Sequence, residues 1–340
     1  MRALWLLKNG GLEALSVRES AEPLPQDGEV RVRVHAAGLN FAEILMRQGL
    51  YPEGPELPAV LGFEAAGVVE AVRGPSDGLK PGARVVVRSG FRAHAEYVCV
   101  PAASVFPLPE SMTFAEAVAF PVSYVTAYYA LFRTAHLRSG DWVLIHAAGG
   151  GVGLAAVQLC RTVAGVTVIG TASRHKHRAL FSQGCDYLID YHSEDYADEI
   201  RRLGQGRGVD IVLDPLGGSD TLKNYELLGP DGRLVCYGFL NLVCGERRDV
   251  RHVAHQIRTV PLLNPRDLIN SSRSVAGLNL SRLDKRDPSI RRATIDALFG
   301  LYQDGKIRPV IDEQYQLERA SRGYNRLQRG ENLGKIVVNM

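Results

Sequence analysis

The sequence predicts an α/β protein in which a doubly wound parallel sheet is joined to a second, β-rich domain. Three observations carry that prediction. The first third of the chain is a series of short alternating or apolar runs broken by Gly and Pro; the middle alternates apolar strands with helices; and one strand-to-helix junction, WVLIHAAGGGVGLAAVQL, holds four glycines within five positions.

The β-rich part comes first. Residues 30–38 (VRVRVHAAG), 65–72 (AAGVVEAV) and 83–88 (ARVVVR) have the two-residue period or unbroken β-branched character of strands, and KPG and VPAAS mark turns after them. Between the first two lies GLNFAEILMRQGLYPEG (38–54), read as a short helix with Phe41, Ile44 and Leu45 on an apolar face and Glu43, Arg47 and Gln48 on a solvated one. Asn40 and Tyr51 are its polar ends.

The character changes near Thr113. A helical stretch, TFAEAVAFPVSYVTAYYALF, leads into the strand WVLIH, and then VTVIGT (166–171), YLIDY (187–191), VDIVLD (209–214), RLVCYG (233–238) and SVAGLNL (274–280) alternate with helices, the pattern of a parallel sheet. SIRRATIDALFGLYQDGKI (289–307) reads as a helix ending near Gly305, followed by one more helix and a closing strand, GKIVVN. This tail has no strand–helix–strand partner, so it is expected to return to the first domain. The expected domains are therefore 1–120 with 284–340, and 121–283.

Composition bounds the function. At 340 residues, 46% hydrophobic and 23% charged, the chain can bury two cores, and a formal charge of +3 from scattered basic residues gives no nucleic-acid footprint. Five widely spaced cysteines, Cys99, Cys160, Cys185, Cys236 and Cys244, contain no Cys-x-x-Cys, which argues against structural zinc and a disulfide framework. The opening MRALWLLKNGG has five apolar residues before Lys8, too few for a secretory signal, and no run suits a transmembrane helix. A cytoplasmic protein is expected.

The glycine junction is the strongest functional signal. Gly149, Gly150, Gly151, Val152 and Gly153 follow a strand and open a helix, so the backbone can turn tightly and let a pyrophosphate reach the helix N-terminus. The next strand ends TASRHKH, where an NAD enzyme would place an acid for the ribose 2′-hydroxyl. Here stand Ser173, Arg174 and Lys176, groups suited to a 2′-phosphate, which favours NADPH. Cations in a first helical turn oppose the dipole, and a bound anion would relieve that. Tyr191, ending the third strand of the sheet, could close over the same phosphate.

The strings HAAGGGVGLAAVQLCRTV, VTVIGTAS, IDYHSEDYADEI, GVDIVLDPLGGSDTLK and NLGKIVV together resemble the zinc-independent quinone oxidoreductases of the medium-chain dehydrogenase/reductase superfamily, and within it the vesicle amine transport protein branch. The likeness runs from GLNFAEILMRQGLYP to the final strand. It implies a GroES-like catalytic domain, a Rossmann cofactor domain, NADPH between them, and often a homodimer joined through the cofactor sheets. It assigns the glycine loop to pyrophosphate, Ser173, Lys176 and Tyr191 to the 2′-phosphate, Thr126 and Asn332 to the nicotinamide half, and Asn40 and Tyr51 to the substrate cleft. Phe239 is a further cofactor-side candidate, and Phe63, Tyr124, Leu262 and Leu263 are candidate walls or core. Gly149 departs from the Ala common in relatives.

Zinc-dependent relatives carry Cys where Asn40 stands and His-Glu where this chain has Phe63-Glu64. With Asn and Phe there, three protein ligands for a catalytic zinc are lacking, so no metal is expected. His175 and His177 lie in the phosphate segment, and His252 and His255 read as a solvated helical pair. Without a metal, alcohol oxidation would need another base. Reduction of a conjugated carbonyl needs only donors for the oxygen that gains charge. Tyr51 could donate there as a catalytic group or line the pocket, and the Asn40 amide could hold the carbonyl. The expected activity is NADPH-dependent reduction of a quinone, enone or other conjugated carbonyl. The alternatives are a stand-alone enoyl reductase of a polyketide or fatty-acyl pathway and a non-enzymatic, NADPH-bound binding protein.

Overall fold

The computed structural model describes residues 1–76 and 78–340, with the side chains of all of these except Lys285 and Pro288. The chain divides into two compact units: Met1–Val125 with Glu246–Arg248 and Leu280–Met340, and Thr126–Gly245 with Asp249–Asn279. Among the described residues no helix is long and apolar enough to cross a membrane.

The first unit is built on antiparallel strands. The strand Glu29–Gly38 pairs with Glu64–Arg73 and Tyr97–Pro101, and Glu64–Arg73 continues to Arg84–Arg88 and Val105–Pro107. Val30, Val32 and Val34 point inward while Arg31 and Arg33 alternate outward, and the inward set packs on Val69, Val85, Val87, Val98 and Val100. Each fully buried valine contributes about 1.5 kcal/mol or more by leaving water. Near the end of the chain, Lys335–Asn339 pairs antiparallel with Glu29–Gly38 and parallel with Ile311–Gln316. The opening residues, read above only against a signal peptide, form the strand Arg2–Leu6 of a three-stranded sheet with Leu15–Glu19 and Ala59–Val60.

The helix Phe41–Arg47 corrects the sequence reading. Its expected solvated side is buried: Glu43 and Arg47 are 0% exposed and Gln48 1%. Arg47 Nη1 donates to the Gly10 carbonyl at 2.8 Å and the Glu246 carbonyl at 3.0 Å, its Nη2 donates to Gln328, and Gln48 Nε2 donates to the Glu246 carbonyl at 3.1 Å. Residues 246–248 and the helix Ala320–Gln328 cover that face, and a local hydrophobic period carries no information about such distant neighbours.

The second unit is a six-stranded parallel sheet, Trp142–Ile145, Thr167–Thr171, Tyr187–Ile189, Val209–Asp214, Leu228–Cys236 and Ser274–Gly277, in spatial order 3-2-1-4-5-6. That order places a topological switch beside its first strand, where such sheets bind ligands at the carboxyl ends. The stretch before it is helical but irregular. Tyr124 N–H reaches back five residues to the Ala119 carbonyl at 3.1 Å and Ala135 N–H to the Ala130 carbonyl at 2.9 Å, wide turns that accommodate Pro121. The helix Pro288–Gln303 ends ahead of Gly305, whose φ of +69° is the left-handed conformation glycine permits.

Candidate active site

At the carboxyl end of the first strand of the parallel sheet, Ala147 takes a left-handed turn at φ +51° and its carbonyl accepts the Gly150 N–H at 2.8 Å. The helix Gly151–Cys160 starts at once, with Gly150 as cap and no side-chain oxygen on its first N–H groups. A Cβ on Gly153 would lie 2.3 Å from the Ala147 oxygen and 2.7 Å from the Ala148 Cα, both backbone, so only glycine fits. Uncapped N–H groups over a turn without side chains fit a pyrophosphate.

Beyond the second strand, Ser173 is buried, and its Oγ lies 2.9 Å from the Tyr191 hydroxyl and 3.2 Å from His192 Nε2. Lys176 is buried on the same turn, Arg174 is exposed, and Tyr191 is 47% exposed with its ring 4.4 Å from that of His192. The structure thus brings Ser173 and Tyr191 together and adds His192, which the sequence reading missed; its signal was adjacency to Tyr191 at a strand end. His177 belongs to the framework, its Nε2 2.9 Å from the Ala172 carbonyl, and His252 Nε2 lies 2.6 Å from the Asn241 carbonyl. Past the fourth and fifth strands, the Phe239 ring, half exposed, fills the space a side chain on Gly217 would need. Leu262 is fully exposed, while Leu263 packs on the sheet's core. Thr126 is buried in the helical run Val125–Tyr128.

In the first unit Asn40 and Tyr51 belong to different clusters. Asn40 is buried; its Oδ1 accepts Lys335 Nζ at 2.8 Å, and its Nδ2 donates to Glu64 Oε1 at 2.8 Å and to the Gly38 carbonyl at 3.4 Å. Lys335 Nζ also meets Glu64 Oε1 at 2.6 Å, with both side chains almost wholly buried. The donors and acceptors fix the amide's orientation and direct both its hydrogens to protein acceptors. Burial raises the Glu64 carboxyl pKa, and Lys335 pulls it back.

Glu43 stands beside this pair. Its Oε2 accepts the Asn40 N–H at 2.9 Å and the Tyr324 hydroxyl at 2.9 Å, while its Oε1, 3.8 Å from His94 Nε2, has no hydrogen-bond partner. Burial raises the Glu43 carboxyl to about 7 and lowers His94 to about 4. Asn332, in the same unit, donates Nδ2 to the Gly334 carbonyl at 2.8 Å.

Tyr51 is half-buried, edge-on to Phe63 at 6.2 Å, and burial raises its phenol pKa while Ser281 and Arg88 draw it back. Phe63, at the bend just before the strand, sets its ring against Tyr51, while Glu64, the first residue of the strand, meets Asn40. Tyr124, the other aromatic candidate in this unit, is 2% exposed and stacked on Phe120. Among the described residues, no group of three His, Cys, Asp or Glu side chains is placed to hold a metal ion.

Two family profiles match this chain, an alcohol dehydrogenase GroES-like domain over residues 26–110 and a zinc-binding dehydrogenase over residues 183–338. The rat synaptic vesicle membrane protein VAT-1 homolog is 44% identical over 341 residues, 99% of this chain and 84% of the relative. The chain belongs to the medium-chain dehydrogenase/reductase superfamily, in its VAT-1 and quinone oxidoreductase family. It is an oxidoreductase of that superfamily. The Pongo abelii quinone oxidoreductase is 31% identical over 342 residues, 99% of this chain and 97% of the relative. Among solved structures, a human VAT-1 homolog-like protein superposes with TM-score 0.87 at 38% identity, covering 100% of this chain and 98% of the other. The Escherichia coli quinone oxidoreductase complexed with NADPH gives 0.87 at 27% identity and full coverage of both, and the JamJ enoyl reductase 0.85 at 26%, covering 100% and 99%.

Proposed function

We propose that the protein is a zinc-independent, NADPH-dependent reductase of conjugated carbonyls, with quinones and enones as the substrate class. The observation that carries this reading is the cluster of Ser173, Tyr191 and His192 with Lys176 on the adjoining turn, a hydroxyl and cationic set at the strand end where a diol reader would be a carboxylate. The NADPH complex of the E. coli relative supports it. When bound, NADPH supplies the hydride. The loop from Gly149 through Gly150, Gly151 and Val152 to Gly153 would offer its N–H groups to the pyrophosphate, and Ser173, Arg174, Lys176 and Tyr191 would hold the 2′-phosphate. Thr126, Phe239 and Asn332 would border the rest of the cofactor. Tyr51 would donate a hydrogen bond to the oxygen that gains charge. Asn40, both of whose amide hydrogens go to the protein, would act by fixing Lys335 against Glu64. A zinc ion beside Asn40 and Glu64 would have to displace that ammonium.

Anaerobic mixing with NADPH and a panel of quinones, enones and enoyl thioesters tests the activity; no cofactor oxidation with any of them would overturn it. In calorimetry, Ser173→Ala with Lys176→Ala should weaken NADPH about 100-fold, as two charge-assisted hydrogen bonds are lost at about 1.5 kcal/mol each, and leave NADH unchanged. An unaltered NADPH-to-NADH ratio would sink the 2′-phosphate assignment. The likeness to an enoyl reductase favours a second reading, a stand-alone enoyl reductase, which predicts higher kcat/KM for thioesters than for quinones.

The parallel sheet ends at Ser274–Gly277, whose outer edge pairs with no other strand among the described residues, and Ile257, Leu262 and Ile269 before it are exposed. We infer a homodimer joined at that edge, since a free strand edge offers unpaired backbone groups to a second copy. Sedimentation velocity at micromolar protein should give a dimer, and a monomer there would end the inference.

A further inference from the structure

The strand Trp142–Ile145 passes into the glycine turn through a buried histidine. His146 is 1% exposed, and both its ring nitrogens are engaged. Nδ1 lies 3.1 Å from the Thr171 hydroxyl, at the end of the neighbouring strand, and Nε2 lies 2.7 Å from Asn224 Oδ1, on the helix Ser219–Glu226. Burial lowers the imidazole pKa against the pull of Asp214, so at pH 7 the ring is neutral, one nitrogen donating and the other accepting. A hydroxyl can donate or accept, so turning the Asn224 amide over would reverse the donors without breaking the bridge. The ring also stands edge-on to Tyr196 at 4.7 Å, and Tyr196 is itself held by donating its hydroxyl to Asp220 at 2.7 Å.

Such a bridge is an expensive way to fill an interior. Thr171 and Asn224 are buried with the histidine, and Asn224 Nδ2 has no hydrogen-bond partner, a desolvation cost that an apolar side chain at position 146 would avoid. What the polar ring adds is direction, because groups on two other elements fix it. The backbone it fixes leads straight into Ala147, whose φ of +51° is a left-handed conformation that a non-glycine residue keeps only under constraint. Thr171 holds the far side of the same turn, its carbonyl accepting the Ala148 N–H at 3.1 Å. The Ala147 carbonyl in turn accepts the Gly150 N–H at 2.8 Å. A turn that relaxed to negative φ would lose that bond and re-aim the N–H groups at the start of the helix Gly151–Cys160.

We propose that His146, bridged to Thr171 and Asn224, is a positioning residue that holds Ala147 in its left-handed turn and so presets the glycine loop for the pyrophosphate of a dinucleotide. This rests on the dinucleotide-binding part of the reductase reading and is independent of the choice between NADPH and NADH.

Calorimetry with NADPH and with NADH, on His146→Phe in the wild-type and Ala147→Gly backgrounds, tests this. The substitution keeps an aromatic ring and removes both hydrogen bonds, so it should weaken the two dinucleotides alike, each by about tenfold. In the Ala147→Gly background the same substitution should cost less than about twofold, because glycine takes a positive φ without constraint. No loss of affinity, or an equal loss in both backgrounds, would overturn the positioning role. A second readout needs no cofactor: hydrogen exchange at the Gly150 amide should be about tenfold faster in His146→Phe, while the Leu144 and Ile145 amides in the strand keep their wild-type rates. Faster exchange along the whole strand would make His146 a general stabiliser and overturn the proposal. Thr171→Val deletes one of the two hydrogen bonds at nearly constant volume and should give about threefold effects in both readouts, which decides the question where His146→Phe does not fold. Faster Gly150 exchange in a protein that binds neither dinucleotide upholds the hold on the turn and overturns the dinucleotide reading.

Discussion

Lys335→Met should destabilise the first unit by about 3–5 kcal/mol at neutral pH, the cost of stripping one partner from a buried ion pair. Lys335 and Glu64 are 3% and 0% exposed as side chains, their closest atoms are 2.6 Å apart, and Glu64 Oε2 already lacks a hydrogen-bond partner. Methionine fills much of the lysine's volume, so the loss should come from the stranded carboxylate rather than from a cavity. The pH dependence separates the two. Burial already raises the Glu64 pKa, and Lys335 is the strongest group pulling it back, so the variant's Glu64 should rise further. An acid whose folded pKa exceeds its unfolded value loses stability as pH climbs from the unfolded pKa. The defect should therefore be largest near neutrality and shrink on acidification below about 4.5. Adding Glu64→Gln should recover most of it. Urea unfolding of the three variants checks this, and a loss that neither acid nor Glu64→Gln relieves would mean the lysine acts through packing.

That pair shows where a sequence stops being legible. The glycine junction was readable because strand, loop and helix are contiguous, and the structure builds it within seven residues, Ala147 to Gly153. Ser173 and Tyr191 were readable because strand ends in a parallel sheet meet at one edge. The substrate-side clusters were not. Lys335 reaches Asn40 across 295 positions, Tyr324 reaches Glu43 across 281, and Arg88 reaches Ser281 across 193. In isolation each is a charged or polar residue at the end of an element, which by composition belongs in water. Glu43, Arg47 and Gln48 read as the solvated face of an amphipathic helix, yet they are buried against the helix Ala320–Gln328 and residues 246–248. The register bringing Lys335–Asn339 beside Glu29–Gly38 places a cation next to Glu64, and nothing local in NLGKIVV announces it.

Glu43→Gln should alter the shape of the stability–pH curve, and by a comparable amount. Glu43 is fully buried, its hydrogen-bond partners Asn40 N–H and Tyr324 O–H are neutral, and the nearby Lys335 charge offsets the cost of burial only in part. Its carboxyl rises from 4.5 to about 7. At about 1.36 kcal/mol per unit, the wild type should lose about 3 kcal/mol of Glu43-linked stability between about pH 4.5 and about pH 7. His94, whose Nδ1 is 3.2 Å from the same Tyr324 hydroxyl, has the opposite sign. Burial lowers it from 6.5 to about 4, so its contribution is full above about 6.5 and is lost as pH falls toward about 4. The two slopes cancel across most of the interval in the wild type, because folding takes a proton onto Glu43 where it removes one from His94. Glu43→Gln leaves the His94 slope alone, so its stability relative to wild type should rise by about 3 kcal/mol from about pH 4.5 to about pH 7. His94→Gln should leave the Glu43 slope and fall over the same range, with Lys335 and Glu64 still paired. Urea midpoints of the three proteins at the two pH values decide it: curves that run parallel would show that neither group changes its proton on folding.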